Sequence, residues 1–305
     1  MHALVTGGAG FIGSNLSRKL LEIGYRVTVL DNLSTGEKGN IPEGCNFIDL
    51  DLTEKGFTES IPRDVTHVFH LAAQSSGEIS FEDPRNDLET NVSSTLELLS
   101  WSHRISVERF VFTSSMSVYG DVPNEPITEE RKIAPKSFYG VGKAASEYYI
   151  QIFTELGLNT VVLRLFNIYG PGQDVENMKQ GMLSIFLGYL LRGEDLKVKG
   201  SLERFRDFVF IEDCVNAIIK AAESENLTGT FNICSGKKTT VGEAIDCLLK
   251  NLGKENHSVI IEEGTPGDQF GIFGNPSKTT EKLGWRNRTS FSNGVSKLVD
   301  SLNKK

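Results

Sequence analysis

Tyr139 and Lys143 stand four residues apart, a spacing that stacks two side chains on one face of a helix. An ammonium beside a phenol favours the phenolate, so the pair predicts a tyrosine whose pKa falls from about 10 toward the range of a working base. Tyr-x-x-x-Lys also occurs as a plain surface pair on amphipathic helices, so it needs support. Thr113-Ser114-Ser115 ends the apolar run Arg109 to Phe112, and a hydroxyl there, at Ser115, can hydrogen-bond a reacting oxygen or the tyrosine. A second constellation opens the chain. Gly7, Gly10 and Gly13, with Phe11 and Ile12 between the last two, follow an apolar start and precede a helix-like run. Such spacing allows a tight strand-to-helix turn whose backbone N–H groups approach a pyrophosphate. Asp31 ends the next apolar segment, where a carboxylate accepts hydrogen bonds from both ribose hydroxyls and repels a 2′-phosphate. The dinucleotide expected is therefore NAD rather than NADP, although Lys38 nearby leaves some NADP use open. Asn32, Ser34, Thr35 and Gly36 form a polar turn able to wrap an adenosine.

The elements that must position these groups are legible as alternation. Short apolar strands are predicted at 3–6, 27–31, 45–48, 67–71, 109–114 and 160–166, and helices at 13–23, 84–103 and 140–156, from the three- and four-residue spacing of apolar side chains. The fold class expected is α/β, a Rossmann-type doubly wound parallel sheet with a smaller mixed α/β C-terminal lobe. Residues 1–170 would form the dinucleotide-binding body, with 207–235 returning to it through a helix at 212–222 and a strand at 230–233. Residues 171–305 would form the substrate lobe, with 171–203 helical between charged turns, a helix near 241–252 and a turn at Pro266-Gly267. Ligand would sit in the cleft between body and lobe.

The 305 residues are 39% hydrophobic and carry a net charge of −8, enough for a sizeable core and unfavourable for a nucleic-acid or anionic-membrane surface. Cys45, Cys214, Cys234 and Cys247 lack C-x-x-C spacing, so buried free thiols and a reducing, cytoplasmic setting are expected, with no metal site. The chain begins on its first strand, so no signal peptide is expected. No apolar run reaches the roughly 18 residues of a membrane span. The Lys304-Lys305 tail reads as solvated.

Beyond the two constellations stand Asp51-Leu52, His70-Leu71-Ala72-Ala73, Asn91, Val118-Tyr119-Gly120, Arg164 to Pro171, and Arg206-Asp207-Phe208-Val209. With these, the chain resembles the extended short-chain dehydrogenase/reductase family, and in particular its nucleotide-sugar epimerase/dehydratase branch, nearly end to end. The resemblance implies that Asp51 and Leu52 contact adenine, that Leu71, Ala72 and Ala73 line the cofactor, and that Asn91 supports the active-site helix. It implies that Lys143 holds the nicotinamide ribose and polarises Tyr139, with Ser115 completing a triad. Asn167 would hold the phosphates of a nucleotide-diphosphate sugar and Arg206 the nucleotide's phosphate or ribose, and Ser75, in the polar loop Gln74 to Glu78, would contact the sugar. Relatives often pair through the helices predicted here at 84–103 and 140–156, so a homodimer is expected by analogy.

Members of the branch share oxidation of a sugar hydroxyl by the tyrosine and NAD. Dehydratases and decarboxylases add acidic residues after the catalytic hydroxyl, where this chain has Met116 and Ser117, neither able to act as a carboxyl acid or base. The reaction expected is 4-epimerisation through a 4-keto sugar. A nucleotide-sugar oxidoreductase is the alternative, and a non-catalytic NAD-binding protein is a third reading that the intact triad disfavours. One departure bears on the substrate. Many uridine-sugar epimerases carry an arginine just before a Pro-Gly-Asp or Gly-Asp turn, whereas this chain reads Gly264-Thr265-Pro266-Gly267-Asp268-Gln269. The base is left open.

Overall fold

The computed structural model describes residues 1–224, 227–264 and 269–302. The predicted turn at Pro266-Gly267 and the Lys304-Lys305 tail lie outside these residues. Six parallel strands, β1 (His2–Thr6), β2 (Arg26–Asp31), β3 (Asn46–Asp49), β4 (His67–His70), β5 (Arg109–Ser115) and β6 (Thr160–Leu165), form most of the central sheet. Successive side chains face opposite ways along such strands, and the core divides accordingly. Ala3, Val5, Val27, Val29, Val111 and Val161 join one buried cluster, while Leu4, Leu30, Phe110, Phe112 and Val162 join the other. Near-continuous apolar runs are what a sheet covered on both faces requires.

Helices follow in chain order: α1 (Phe11–Glu22), α2 (Ile79–Glu82), α3 (Pro84–Leu88), α4 (Ser94–Arg104) and α5 (Phe138–Glu155). The helix expected over 84–103 is broken. Asp83 caps α3 by accepting from Asn86 N at 3.0 Å, and the segment Glu89–Ser93 is a π-helical turn between α3 and α4. There the Asn91 carbonyl accepts the Thr95 hydroxyl at 2.7 Å and the Ser146 hydroxyl of α5 at 2.8 Å. These side-chain bonds satisfy a carbonyl that an altered helical ladder leaves available.

Past the sheet come β7 (Asn167–Tyr169), α6 (Met182–Arg192), β8 (Leu196–Lys199), β9 (Phe205–Arg206), β10 (Phe208–Phe210) and α7 (Ile211–Glu223). Then follow β11 (Gly229–Ile233), β12 (Thr239–Thr240), α8 (Val241–Leu252), β13 (Val259–Glu262), α9 (Ser277–Leu283) and α10 (Phe291–Leu302). β11 pairs with β6 and completes a seven-stranded sheet in the order β11-β6-β5-β4-β1-β2-β3. α1 packs with α7 on one face, and α4 with α5 on the other. The segment expected to be helical throughout 171–203 contains β8, which pairs with β13. Leu196 and Val198 are buried and Lys197 and Lys199 exposed, a two-residue period too short to be read against the helix preceding it. All four cysteines are free; Cys214 and Cys234 are buried, Cys45 and Cys247 half-buried. Among the described residues no helix is long and apolar enough to cross a membrane.

Candidate active site

The glycine turn is built by close approach. Gly7 adopts φ +70°, donates its N–H to Leu30 O at 2.9 Å, and lies so near Ala72 that a Cβ would come within 2.8 Å of its backbone nitrogen. At Gly13 a Cβ would stand 2.1 Å from Gly7 O, so any side chain would push α1 off the loop. Gly10 caps α1 without a side-chain hydrogen bond and no acid stands in the first turn, which leaves the helix N-terminus positive. Phe11 and Ile12, half-buried, begin the helix.

Asp31 ends β2 beside this turn. One carboxylate oxygen accepts Ala9 N and the other Leu33 N, both at 2.9 Å. Asn32 donates to Asp51 at 2.8 Å and accepts from Ser34 N. Ser34 and Thr35 are exposed, while Gly36 packs against Ala9. Leu52 is buried. Leu71 and Ala72 follow β4 and donate their N–H groups to the Thr6 hydroxyl at 3.2 Å, with Ala73 next in line. One edge of the sheet thus brings together the residues the sequence nominated for a dinucleotide.

On the neighbouring strand β5 carries Ser115, whose hydroxyl accepts Ser117 N at 3.1 Å. Ser137 caps α5 by accepting from Gly140 N at 3.1 Å, so Tyr139 and Lys143 lie one turn apart from the start of the helix. The phenol does not behave as the spacing predicts. Burial pushes Tyr139 up to about 12, a hydrogen bond with Ser115 draws it down, and the Asp87 charge raises it again. Lys143 donates to Thr113 O at 3.0 Å and lies over the Phe112 ring. Burial lowers its pKa to about 8 against the pull of Asp87 and Glu147. Desolvation of both groups acts against the lowering that the Lys143 ammonium is expected to produce.

Two carboxylates were not nominated from sequence. Asp87, buried in α3, accepts Gln74 Nε2 at 2.9 Å and Asn91 Nδ2 at 3.1 Å, and burial raises its pKa despite these bonds and the Lys143 charge. Asn91 also donates to Gln74 O at 3.0 Å, while its own Oδ1 is buried without a protein partner. Glu147 accepts the Ser114 hydroxyl and a two-pronged contact from Arg164, at 3.0 and 2.6 Å. The signal available was spacing, since Asp87 precedes Asn91 by four residues and Glu147 follows Lys143 by four.

A cleft of about 340 Å³ lies alongside. Met116, Ser117 and Ser137, the chain neighbours of Ser115 and Tyr139, line it together with Ser75, Asn167 and Arg206. Ser75 accepts a hydrogen bond from Gln180 across the cleft. Asn167 donates to Asp207 O at 3.3 Å. Arg206 is buried and donates to Phe205 O and Gln269 O at 2.8 and 3.0 Å. Its pKa falls to about 9 through burial and the nearby Arg204 charge. Asp207 accepts from Ser235, Gly236 and Gly274, which fixes the strand at Arg206. Lys136, Lys179, Lys197, Lys199 and Arg204 also line the cleft, against Glu78 and Glu262.

A family model described as the NAD dependent epimerase/dehydratase family matches residues 3–234. The chain belongs to that family. It is 35% identical to a putative UDP-glucose 4-epimerase of Methanocaldococcus jannaschii, over 97% of each chain. The structure of UDP-glucose 4-epimerase from Thermotoga maritima with UDP-glucose superposes with a TM-score of 0.94 at 37% identity, covering 100% of this chain and 99% of that one. The UDP-glucose 4-epimerase of Thermus thermophilus in complex with NAD gives 0.93 at 37% identity, over 99% of each. This member of the epimerase/dehydratase family is accordingly an NAD-dependent enzyme built on a Rossmann-type sheet. The resemblance read from its motifs and the fold class both hold.

Proposed function

We propose that this enzyme is a cytoplasmic nucleotide-sugar 4-epimerase. One observation carries the reading: the Ser115–Tyr139–Lys143 group adjoins a cleft whose charged lining residues are mostly cations, six Lys and Arg against Glu78 and Glu262, in a protein of net charge −8. A positive cleft in an acidic protein fits a substrate bearing phosphates. Met116 and Ser117, which line the cleft where related dehydratases keep acids, provide no carboxyl for elimination. The similarity to proteins named UDP-glucose 4-epimerase supports the same assignment.

The residues present fit NAD. The tight turn at Gly7, Gly10 and Gly13 leaves the α1 N-terminus open to a pyrophosphate. Asp31 keeps lone pairs for ribose hydroxyls after accepting from Ala9 and Leu33, because a carboxylate has about four acceptor positions. Asn32, Ser34, Thr35 and Gly36 would border the adenosine, and Asp51 and Leu52 the adenine. Leu71, Ala72 and Ala73 would line the far side. Asn91 would steady α5, and Lys143 would hold the nicotinamide ribose. When bound, NAD supplies a hydride acceptor and donor, and its oxidised ring carries positive charge. Tyr139 takes the proton of the sugar 4-hydroxyl and later returns one, Ser115 holds the sugar oxygen, and Ser75 contacts the sugar. Asn167 and Arg206 bind the phosphates.

The test is turnover of purified protein with uridine-, guanosine-, thymidine- and cytidine-diphosphate sugars, following products and nicotinamide absorbance together. Interconversion of C4 epimers without net NADH is the expected result. Stoichiometric NADH would establish the oxidoreductase alternative instead, and absence of turnover with all four classes would leave a binding protein.

α5 exposes Phe138, Val141, Tyr148 and Ile152, and α3 exposes Leu88 nearby, with Phe81 of α2 edge-on to Phe138 at 5.4 Å. A continuous apolar helical face of this kind fits a self-complementary pairing, so a second copy is proposed to cover it. Tyr148→Lys combined with Ile152→Lys should convert a dimer to a monomer in sedimentation, and a dimer that survives both changes would refute this interface.

A further inference from the structure

Gln74 leads the loop that follows β4, and its side-chain amide grips the backbone two residues on. Its Oε1 accepts Ser76 N at 2.6 Å and its Nε2 donates to Ser76 O at 2.8 Å. Ser75, enclosed by this ring, is exposed on the cleft, while Ser76 is buried. Nε2 also donates to Asp87 Oδ1 at 2.9 Å, and the same oxygen accepts Asn91 Nδ2 at 3.1 Å. Asn91 Nδ2 donates again to Gln74 O at 3.0 Å, which uses both hydrogens of each amide. Turning the Gln74 amide over would set its NH2 against the Ser76 N–H and its oxygen against the Asp87 carboxylate, so the partners fix its orientation. Asp87 reaches the catalytic helix as well. It is buried, and its Oδ2 lies so near Gly142 of α5 that a Cβ there would stand 3.2 Å away. Gly142, and Ser146 whose hydroxyl meets Asn91 O, follow Tyr139 by three and seven residues, which places them on its face of the helix.

We propose that Asp87 and Gln74 are positioning residues for the sugar: the carboxylate orients the amide, the amide shapes the loop that presents Ser75, and both are set against the helix face that carries Tyr139. The inference rests on the nucleotide-sugar reading above and extends it to two side chains that are not among those lining the cleft. A sugar that must bring the same carbon back to the same phenol needs the loop and α5 held in one frame, since a misplacement of about 1 Å costs on the order of 10²-fold in rate. Asp87 also acts on Tyr139 and Lys143 through its charge, so the hydrogen bond and the charge have to be separated. Asp87→Asn separates them, because an amide oxygen in place of Oδ1 still accepts from Gln74 and Asn91 while the charge is gone.

The test is calorimetry on NAD-loaded protein with UDP-glucose and UDP, GDP-mannose and GDP, dTDP-glucose and dTDP, and CDP-glucose and CDP. For the pair that wild type binds, Gln74→Met and Asp87→Leu should each weaken the sugar nucleotide about tenfold, the scale of a lost hydrogen bond, and leave the nucleoside diphosphate within about twofold. The double variant should lose no more than the larger single loss, because both changes act through one amide. Asp87→Asn should bind the sugar nucleotide within about threefold of wild type, as retained hydrogen bonds require. If Asp87→Leu does not fold, Gln74→Met decides alone. Sugar-nucleotide affinity within about twofold of wild type in the folded Gln74 and Asp87→Leu variants, equal loss for sugar nucleotide and diphosphate, or Asp87→Asn as impaired as Asp87→Leu overturns the positioning role while the proposed function stands. Failure of wild type to bind any of the four sugar nucleotides overturns both.

Discussion

Tyr139→Phe is expected to lower turnover about 10²- to 10⁴-fold, the usual contribution of a positioned acid–base group, while NAD content and nucleotide-sugar affinity stay near wild type. The change deletes one oxygen and little volume, and the α5 start is set by the Ser137 cap rather than by the phenol. The measurement is epimer conversion per NAD-loaded site, with cofactor content checked by absorbance. A pH profile adds a readout that packing does not move. Burial, seconded by the Asp87 charge, raises the phenol pKa above its ordinary value, and a base acts only when ionised, so wild-type activity should rise with pH along a limb governed by that ionisation. In Tyr139→Phe the limb should vanish. Retention of wild-type turnover would mean that some other group removes the proton.

Glu147→Ala is expected to destabilise the fold by about 3–5 kcal/mol, the cost of leaving one member of a buried ion pair without its partner. Arg164 and Glu147 side chains are 7% and 8% exposed and approach to 2.6 Å. Burial works against the Arg164 charge, and the Glu147 carboxylate more than restores it. The pair joins α5 to β6, and the Ser114 bond to Glu147 ties in β5, so it sets the register between the helix bearing Tyr139 and the strand bearing Ser115. Urea denaturation at neutral pH measures the loss. Glu147→Gln, which removes the charge but keeps the hydrogen-bonding groups, should cost less. A loss under about 1 kcal/mol for the alanine variant would be the size of a solvent-screened surface pair and would show that this network does not hold α5 in place.

Much of this protein was legible before any coordinates, for local reasons. Glycine spacing dictates a turn because backbone clearance depends on residues a few positions apart, and Gly13 against Gly7 O bears this out. Apolar runs of strand length, interleaved with helices, require a parallel sheet covered on both faces, and β1 to β6 follow the predicted segments closely. Asp31 at the end of β2 and the Tyr139–Lys143 spacing are equally local. β8 was not legible, because Leu196–Lys199 is only four residues long and follows closely on a helix.

What only the tertiary structure decided are the properties created by burial and by distant segments. The π-turn at Asn91 exists where Thr95 and the Ser146 hydroxyl of α5 meet its carbonyl. The direction of the Tyr139 shift is set by desolvation and by Asp87, more than fifty positions away in sequence. Sequence determined which groups could react and how the chain would turn to carry them, since those are matters of residue type and short-range geometry. Packing determined their charges and their neighbours, because the free energy of a charge depends on how much water and which opposing groups the rest of the fold leaves around it.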